Sequence, residues 1–156
     1  MTVSTWALYL HILGAFVFVA GIAVAAVAHA NALRCKSAAE IAALLGAART
    51  GALMAVAGSL VVLGFGLWLV DLRARSFSEA WIQWALGLFL AALVLGALGG
   101  QRAKHARVLA ERVRDADDDD IARLQQLLRD PVSMTLNYVA TGIVLVVLAL
   151  MIWKPS

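Results

Sequence analysis

Four apolar stretches, each about 20 residues long, constrain this chain more than any other feature of its sequence. They cover residues 6–29, 51–70, 81–100 and 134–153, and none of them contains Lys, Arg, Asp or Glu. An α-helix of 20 residues is about 30 Å long, which matches the hydrocarbon core of a bilayer. The stretches are apolar on all sides, whereas the strands of a membrane barrel alternate apolar and polar residues. We therefore expect an all-α protein, a four-transmembrane-helix bundle that forms one integral membrane domain over residues 1–156.

Composition excludes an ordinary soluble domain, because 63% of the residues are hydrophobic and only 15% are charged. A cleaved signal peptide is the competing interpretation of the first stretch, since small residues flank His29 as they do at cleavage sites. A secretory signal has a basic start and an apolar run of about 7 to 15 residues. Here no Lys or Arg precedes Arg34 and the run is longer, so we predict a retained span. The single cysteine, Cys35, excludes an internal disulfide.

The distribution of basic residues predicts the orientation in the membrane. The segments after the first and third spans hold ten Lys and Arg residues, whereas the opposite side holds three, at Arg73, Arg75 and Lys154. Because basic loops stay in the cytoplasm, both termini are expected outside and residues 101–133 inside. Contact between these loops and anionic lipid headgroups accounts for the net charge of +3, so no nucleic-acid partner is implied.

Capping patterns predict where the second and third helices begin. Ser37 and Glu40 form a capping box, so the second helix is expected to start near Ala38, in the cytoplasm, and to continue to about Leu72. Residues 76–79 repeat this pattern just before the third span. The second and third helices should therefore be antiparallel neighbours joined by a short outer connection.

The segment between the third and fourth spans is the most polar part of the chain. The third helix is expected to continue outward to Arg114, and Asp130 with Pro131 is typical of the start of the fourth spanning helix. Between them the sequence predicts a short amphipathic helix with three apolar residues on one face: Ile121, Leu124 and Leu128. Residues 115–120 carry five carboxylates but lack the spacing and central glycine of a calcium loop. We expect a solvated turn there whose last Asp caps the short helix.

Small residues predict where the helices approach one another closely. Three helices carry pairs of glycines spaced seven or four residues apart: Gly14 and Gly21, Gly51 and Gly58, Gly96 and Gly100. All five tryptophans fall at the outer ends of the spans: Trp6, Trp68, Trp81, Trp84 and Trp153. An interfacial aromatic belt is one interpretation of these rings. Such belts usually mark both interfaces, so the alternative is that several rings line an outer pocket for a flat aromatic ligand.

The histidines are the residues most able to carry chemistry. His11 shares a helix face with Gly14 and Gly21 and is expected about two turns below the outer surface, facing the bundle interior. An ionisable residue at that depth is a candidate functional residue. His29 and His105 are placed at the cytoplasmic edge, where a wet interfacial histidine is the simpler interpretation.

Several of these features resemble known families. The segment His11-Ile-Leu-Gly with Ala20-Gly21, the third helix with its basic arm, and the ending Met-x-x-Lys-Pro from Met151 are similar to the DUF2269 family, predicted integral membrane proteins of bacteria. That resemblance covers most of the chain and implies a multi-pass protein of the bacterial inner membrane. The His-x9-Gly spacing also resembles the HemJ-type protoporphyrinogen oxidases and, more loosely, the CopD-type copper-resistance proteins. The first of these implies a haem ligand at His11, but this chain lacks their later intramembrane Lys.

Two functions from different classes follow. The first is a haem b-binding redox protein in which His11 ligates the iron, Met151 is a second ligand, and Gly14, Trp6 and Trp84 surround the macrocycle. The second is a non-catalytic bundle: an accessory subunit of a larger membrane complex, a homo-oligomer, or a small-solute or metal carrier. The sequence holds no nucleotide loop, nucleophile-base pair or CxxC motif, so it leaves enzymatic activity open.

Overall fold

In a computed structural model, the described residues are 2–72, 79–112 and 118–153, and they form helices without any strand. The helices are α1 (Val3–Ala32), α2 (Ala38–Leu72), α3 (Ala80–Arg112), α4 (Asp118–Leu128) and α5 (Pro131–Trp153). Four helices, α1, α2, α3 and α5, are long and apolar enough to cross a membrane. The expected all-α, four-transmembrane-helix architecture is therefore confirmed.

Two helix starts match their predicted capping patterns. α2 begins at Ala38, directly after Ser37. α5 begins at Pro131, and the Oδ2 atom of Asp130 accepts hydrogen bonds from the backbone N–H of Ser133 at 3.0 Å and from its hydroxyl at 2.8 Å. These bonds satisfy a donor that the first turn of a helix otherwise leaves unpaired. The capping pattern predicted at residues 76–79 extends outside the described residues.

The spanning helices are arranged as two pairs. α1 packs along most of the length of α2, and α5 packs along α3, whereas α2 and α3 share a smaller contact. A central cluster joins the pairs, and within it the rings of Phe18 in α1 and Phe89 in α3 lie 5.4 Å apart at 57°. Ala85, Val144 and Val147 belong to the same cluster. The middle of the bundle is therefore an apolar core that both pairs share.

A second cluster lies at the end of the bundle that carries the basic segments. It combines the end of α1, the start of α2, the end of α3, and α4. Leu124 and Leu128 of α4 are 0% and 1% exposed, and Ile41 of α2 is 0% exposed. The predicted apolar face of the short helix is thus confirmed as buried at Leu124 and Leu128, whereas its third residue, Ile121, is only half-buried. We call this group the polar-end cluster, because it lies at the end of α3 that follows the apolar stretch, where charged side chains such as Lys104 are exposed.

The acidic run differs in one respect from the prediction. α4 begins at Asp118, so Asp120 lies inside the first turn of the helix and is not its cap. Carboxylates in a first turn interact favourably with the positive end of the helix dipole, which accounts for the earlier start. Residues 115–117 lie outside the described part of the chain.

Candidate functional site around His11

The side chain of His11 is half-buried and directed at α2. Its Nδ1 atom lies 3.0 Å from the backbone carbonyl oxygen of Val62. A carbonyl oxygen can only accept a hydrogen bond, so Nδ1 must carry a proton and donate it. In the neutral imidazole, Nε2 then carries the lone pair. The contact with α2 therefore fixes both the orientation and the tautomer of His11.

A glycine on α2 makes this contact with the carbonyl sterically feasible. The Val62 carbonyl points along the helix toward the residue four positions later, which is Gly66. A Cβ atom at Gly66 would lie 3.1 Å from Cε1 and 3.2 Å from Nδ1 of His11. These distances are shorter than nine in ten Cβ contacts in proteins, so any larger residue would press on the ring and displace it by a few tenths of an ångström. Gly66 thus provides the space in which the imidazole reaches the backbone.

Two pairs of glycines fix the register of α1 against α2. A Cβ at Gly21 of α1 would lie 2.6 Å from the carbonyl oxygen of Gly51 in α2. A Cβ at Gly58 of α2 would lie 2.8 Å from the carbonyl oxygen of Gly14 in α1. The residue numbers run in opposite directions along the two helices, so the helices are antiparallel. Such close approach of backbones is the role predicted for these four glycines. We call this contact the glycine seam.

The glycine pair predicted on α3 is used differently. Apart from the neighbouring residues of α3 itself, no described atom lies within 4 Å of the Cβ position at Gly96 or Gly100. The neighbouring Gly99 instead faces α5, where its Cβ position would be 2.5 Å from Oδ1 of Asn137. The contact between α3 and α5 therefore needs a glycine one residue away from the predicted pair. The polar residue Asn137 in the apolar helix α5 is the sequence feature that could have indicated this contact.

The Nε2 atom of His11 has no hydrogen-bond partner among the described residues. The described part of the chain also contains no group of three or more His, Cys, Asp or Glu side chains that could hold a metal ion. A site here would therefore rest on one histidine and on a ligand that brings its remaining coordination with it. Haem, which supplies four nitrogens to its iron, is a ligand of that kind.

The structure distributes the other predicted site residues over both helix pairs. Gly14 is on the same face as His11, but its Cβ position lies 2.7 Å from Cγ1 of Val61. The Val61 side chain of α2 therefore fills the space beside Gly14. Trp84 belongs to α3 and is 67% exposed. Met151 belongs to α5 and packs against the central cluster. His11 and Gly14 are thus brought together against α2, whereas Trp84 and Met151 lie in the other pair.

The aromatic rings at the end of the bundle opposite the polar-end cluster are mostly exposed. Trp6 is 54% exposed and meets Tyr9 edge to face, with ring centroids 6.1 Å apart. Trp68 and Trp153 are also exposed, and the indole nitrogen of Trp81 donates a hydrogen bond to Oε2 of Glu79 at 2.6 Å. Exposed rings at helix ends, with polar edges that find hydrogen bonds, are typical of an interfacial belt.

Contacts at the other end involve the remaining histidines and Cys35. His29 lies against the backbone of Leu128, and His105 bonds the carbonyl of Gln101 one turn earlier, at 2.8 Å. The side-chain amide of Gln125 donates to the carbonyl of Cys35 at 3.0 Å, which ties α4 to the loop between α1 and α2. This last contact was not predicted, because the sequence does not indicate which loop α4 packs against.

The comparisons with known proteins agree with this architecture. The model of the family described as predicted integral membrane protein (DUF2269) matches residues 5–155, almost the whole chain. No curated protein and no solved structure matches the chain. With its four long apolar helices and this match, the chain belongs to the DUF2269 family of integral membrane proteins.

Proposed function

We propose that this membrane protein binds haem b and that His11 is an axial ligand of the iron. The observation that carries the proposal is the hydrogen bond from Nδ1 of His11 to the Val62 carbonyl. Histidines that ligate metals commonly donate their other ring N–H to a carbonyl or carboxylate, which orients the ring and raises the basicity of the ligating nitrogen. His11 has this arrangement, because its Nδ1 donates to a carbonyl and its Nε2 has no hydrogen-bond partner in the described part of the chain.

The other predicted residues fit a haem site to different degrees. Trp6 shares the outer half of α1 with His11, and its exposed ring offers apolar surface to a flat ligand. Gly14 offers no space, since Val61 occupies it. Met151, half-buried on the central cluster, is the second-ligand candidate in the other helix pair. A bound haem would supply one-electron redox chemistry, and the chain would supply ligation and an apolar surrounding.

Absorption spectra of three preparations test this proposal. Protein expressed with haem supplementation is expected to show a Soret band, and His11→Gly is expected to lose it. The matched control is His29→Ala, which removes the other histidine of α1 and should leave the band unchanged. Added imidazole should restore the band in His11→Gly, because it can occupy the space of the lost ring. A circular-dichroism spectrum shows whether each variant is still helical.

Some outcomes contradict the assignment. If the wild-type protein binds no haem, or if folded His11→Gly binds as much as wild type without imidazole, His11 is not the ligand. Equal loss in His11→Gly and His29→Ala would show that haem binding depends only on the general integrity of α1.

A specific observation favours a second function, that of a non-catalytic bundle. The bond to Val62 and the fit against Gly66 already provide a structural role for His11, because they join α1 to α2 without any ligand. In that case the protein acts as an accessory subunit of a membrane complex or as a homo-oligomer. A colourless wild-type preparation that co-purifies with stoichiometric partners, or with copies of itself, would support this function over haem binding.

The orientation in the membrane is part of the proposal, with both termini outside and the polar-end cluster in the bacterial cytoplasm. The ten basic residues on the side of that cluster support it. In intact cells, a membrane-impermeant thiol reagent should leave Cys35 unmodified and should label it after permeabilisation. A matched variant with Thr2→Cys and Cys35→Ser should label in intact cells. The opposite pattern of labelling would reverse the topology.

A further inference from the structure

Two adjoining clefts lie where α4 meets α5, at the end of the bundle opposite to His11. The first, which we call the polar cleft, has a volume of about 490 Å³ and is lined by Ala122, Gln125, Gln126, Arg129, Asp130 and Pro131. The second, the apolar cleft, has a volume of about 290 Å³ and is lined by Pro131, Val132, Thr135 and Leu136. Pro131 belongs to both, so the two form one continuous surface that leads from a polar segment onto a spanning helix.

The polar cleft offers one available positive charge. The side chain of Arg129 is exposed and makes no hydrogen bond or ion pair with another described residue. The carboxylate of Asp130 is engaged at the start of α5, where Oδ2 accepts two hydrogen bonds from Ser133. The amide of Gln125 is likewise used, since it donates to the Cys35 carbonyl. What remains for a ligand is the Arg129 guanidinium and the exposed amide of Gln126.

The apolar cleft continues this surface along the membrane. Val132 is 63% exposed, and the residues around it are the first of the apolar run of α5. A molecule that occupied both clefts would need an anionic head that can pair with a guanidinium and a hydrocarbon chain that follows the helix. Phospholipids of the surrounding bilayer have this combination.

We propose that the α4–α5 corner is a binding site for an anionic phospholipid, whose phosphate pairs with Arg129 and whose acyl chain lies in the apolar cleft. Charge selects the class of lipid. Among the residues that line the polar cleft, Arg129 is the cation, and the Asp130 carboxylate beside it is turned to Ser133; the ten basic residues on this side of the membrane make the surrounding potential positive. A zwitterionic choline headgroup would bring a second cation to the same place. The proposal does not depend on haem binding at His11.

Native mass spectrometry of the purified protein tests the site. The protein is incubated in non-ionic detergent with equal amounts of phosphatidylglycerol and phosphatidylcholine that carry the same acyl chains. Wild type is expected to retain phosphatidylglycerol roughly fivefold over phosphatidylcholine, as one favourable Arg contact allows. Arg129→Gln should reduce this preference to near unity. The control Arg123→Gln removes an equal charge from an exposed position of α4 that does not line the cleft, and it should keep the preference.

A second pair of variants tests the apolar half of the site. Thr135→Trp fills the apolar cleft and should lower retention of both lipids, whereas Thr141→Trp places the same ring on an exposed position of α5 outside the cleft. Equal retention of the two lipids by wild type would overturn the proposal. So would an equal effect of Arg129→Gln and Arg123→Gln, which would indicate diffuse surface charge, or an equal effect of the two tryptophan variants.

Discussion

Replacement of Gly58 by alanine should separate α1 from α2, and the geometry allows the effect to be sized. The added Cβ would lie 2.5 Å from the backbone nitrogen of Phe18 and 2.8 Å from its Cα. Ordinary contacts begin at 3.4 Å, and backbone atoms cannot rotate away as a side chain can. The two helices must therefore move apart by about 1 Å, a gap that forfeits a quarter to a half of the dispersion energy of the atoms involved. Overpacking of this kind costs about 1–3 kcal/mol.

Gly64 provides the matched control on the same helix. Apart from the neighbouring residues of α2 itself, no described atom lies within 4 Å of its Cβ position, so Gly64→Ala adds the same methyl group without a clash. Alanine has the better helix propensity, by about 1 kcal/mol, so this variant should be as stable as wild type or slightly more stable. The propensity gain is common to both variants, so their free energies of unfolding should differ by the overpacking cost alone, about 1–3 kcal/mol.

The difference is measured by following helical circular dichroism during titration of the detergent-solubilised protein with sodium dodecyl sulfate. Gly58→Ala should unfold at a clearly lower fraction of the denaturing detergent than Gly64→Ala. Coincident midpoints, or a more stable Gly58→Ala, would refute the reasoning, because the glycine seam would then not be a contact that holds the two helices together.

Three further predictions concern the polar end. Asp130→Ala should lower the unfolding free energy by about 1 kcal/mol in thermal melts through loss of the α5 cap, and Asp130→Asn should retain most of that stability. Leu124→Ala should cost about 2–5 kcal/mol and make α4 sensitive to protease, while Leu127→Ala, at a half-buried position, should cost less. Desolvation is the main cause that raises the pKa of the Cys35 thiol, and the Glu40 carboxylate raises this pKa further. Alkylation of the thiol should therefore accelerate only at alkaline pH. Glu40→Gln should lower that pKa and speed alkylation by iodoacetamide at pH 8; an unchanged rate would contradict the contribution of Glu40 to this pKa.

The fold was predictable because its signals are local. A span without ionised residues, a capping Ser before Ala38, an Asp before Pro131 and a leucine face on a short helix each act within one or two turns. Membrane insertion then leaves few alternatives, since every backbone polar group in the hydrocarbon must be satisfied within a helix.

The surroundings of His11 depend on contacts that a single helix does not specify. Its partner, the Val62 carbonyl, is 51 positions away and is a backbone group, which leaves no mark in the sequence. Only Gly66, which opens that carbonyl to the ring, is visible as a residue, and a glycine in a membrane helix has many other uses. The pairing of α1 with α2 fixes which face of each helix is used, and it directs Gly14 to Val61 and not to open space.

The polar-end cluster should respond to temperature differently from the contacts inside the membrane. Ile41, Leu124 and Leu128 are the largest fully buried side chains among the described residues, and they lie beside a charged segment and not in the apolar middle of the bundle. Burial of apolar surface changes the heat capacity of folding only where that surface would otherwise contact water. The stabilisation that this burial provides weakens on cooling. Inside the lipid, close packing of backbones holds the helices without this term. Cooling should therefore weaken the packing of α4 on the polar-end cluster more than the contact of α1 with α2 at the glycine seam.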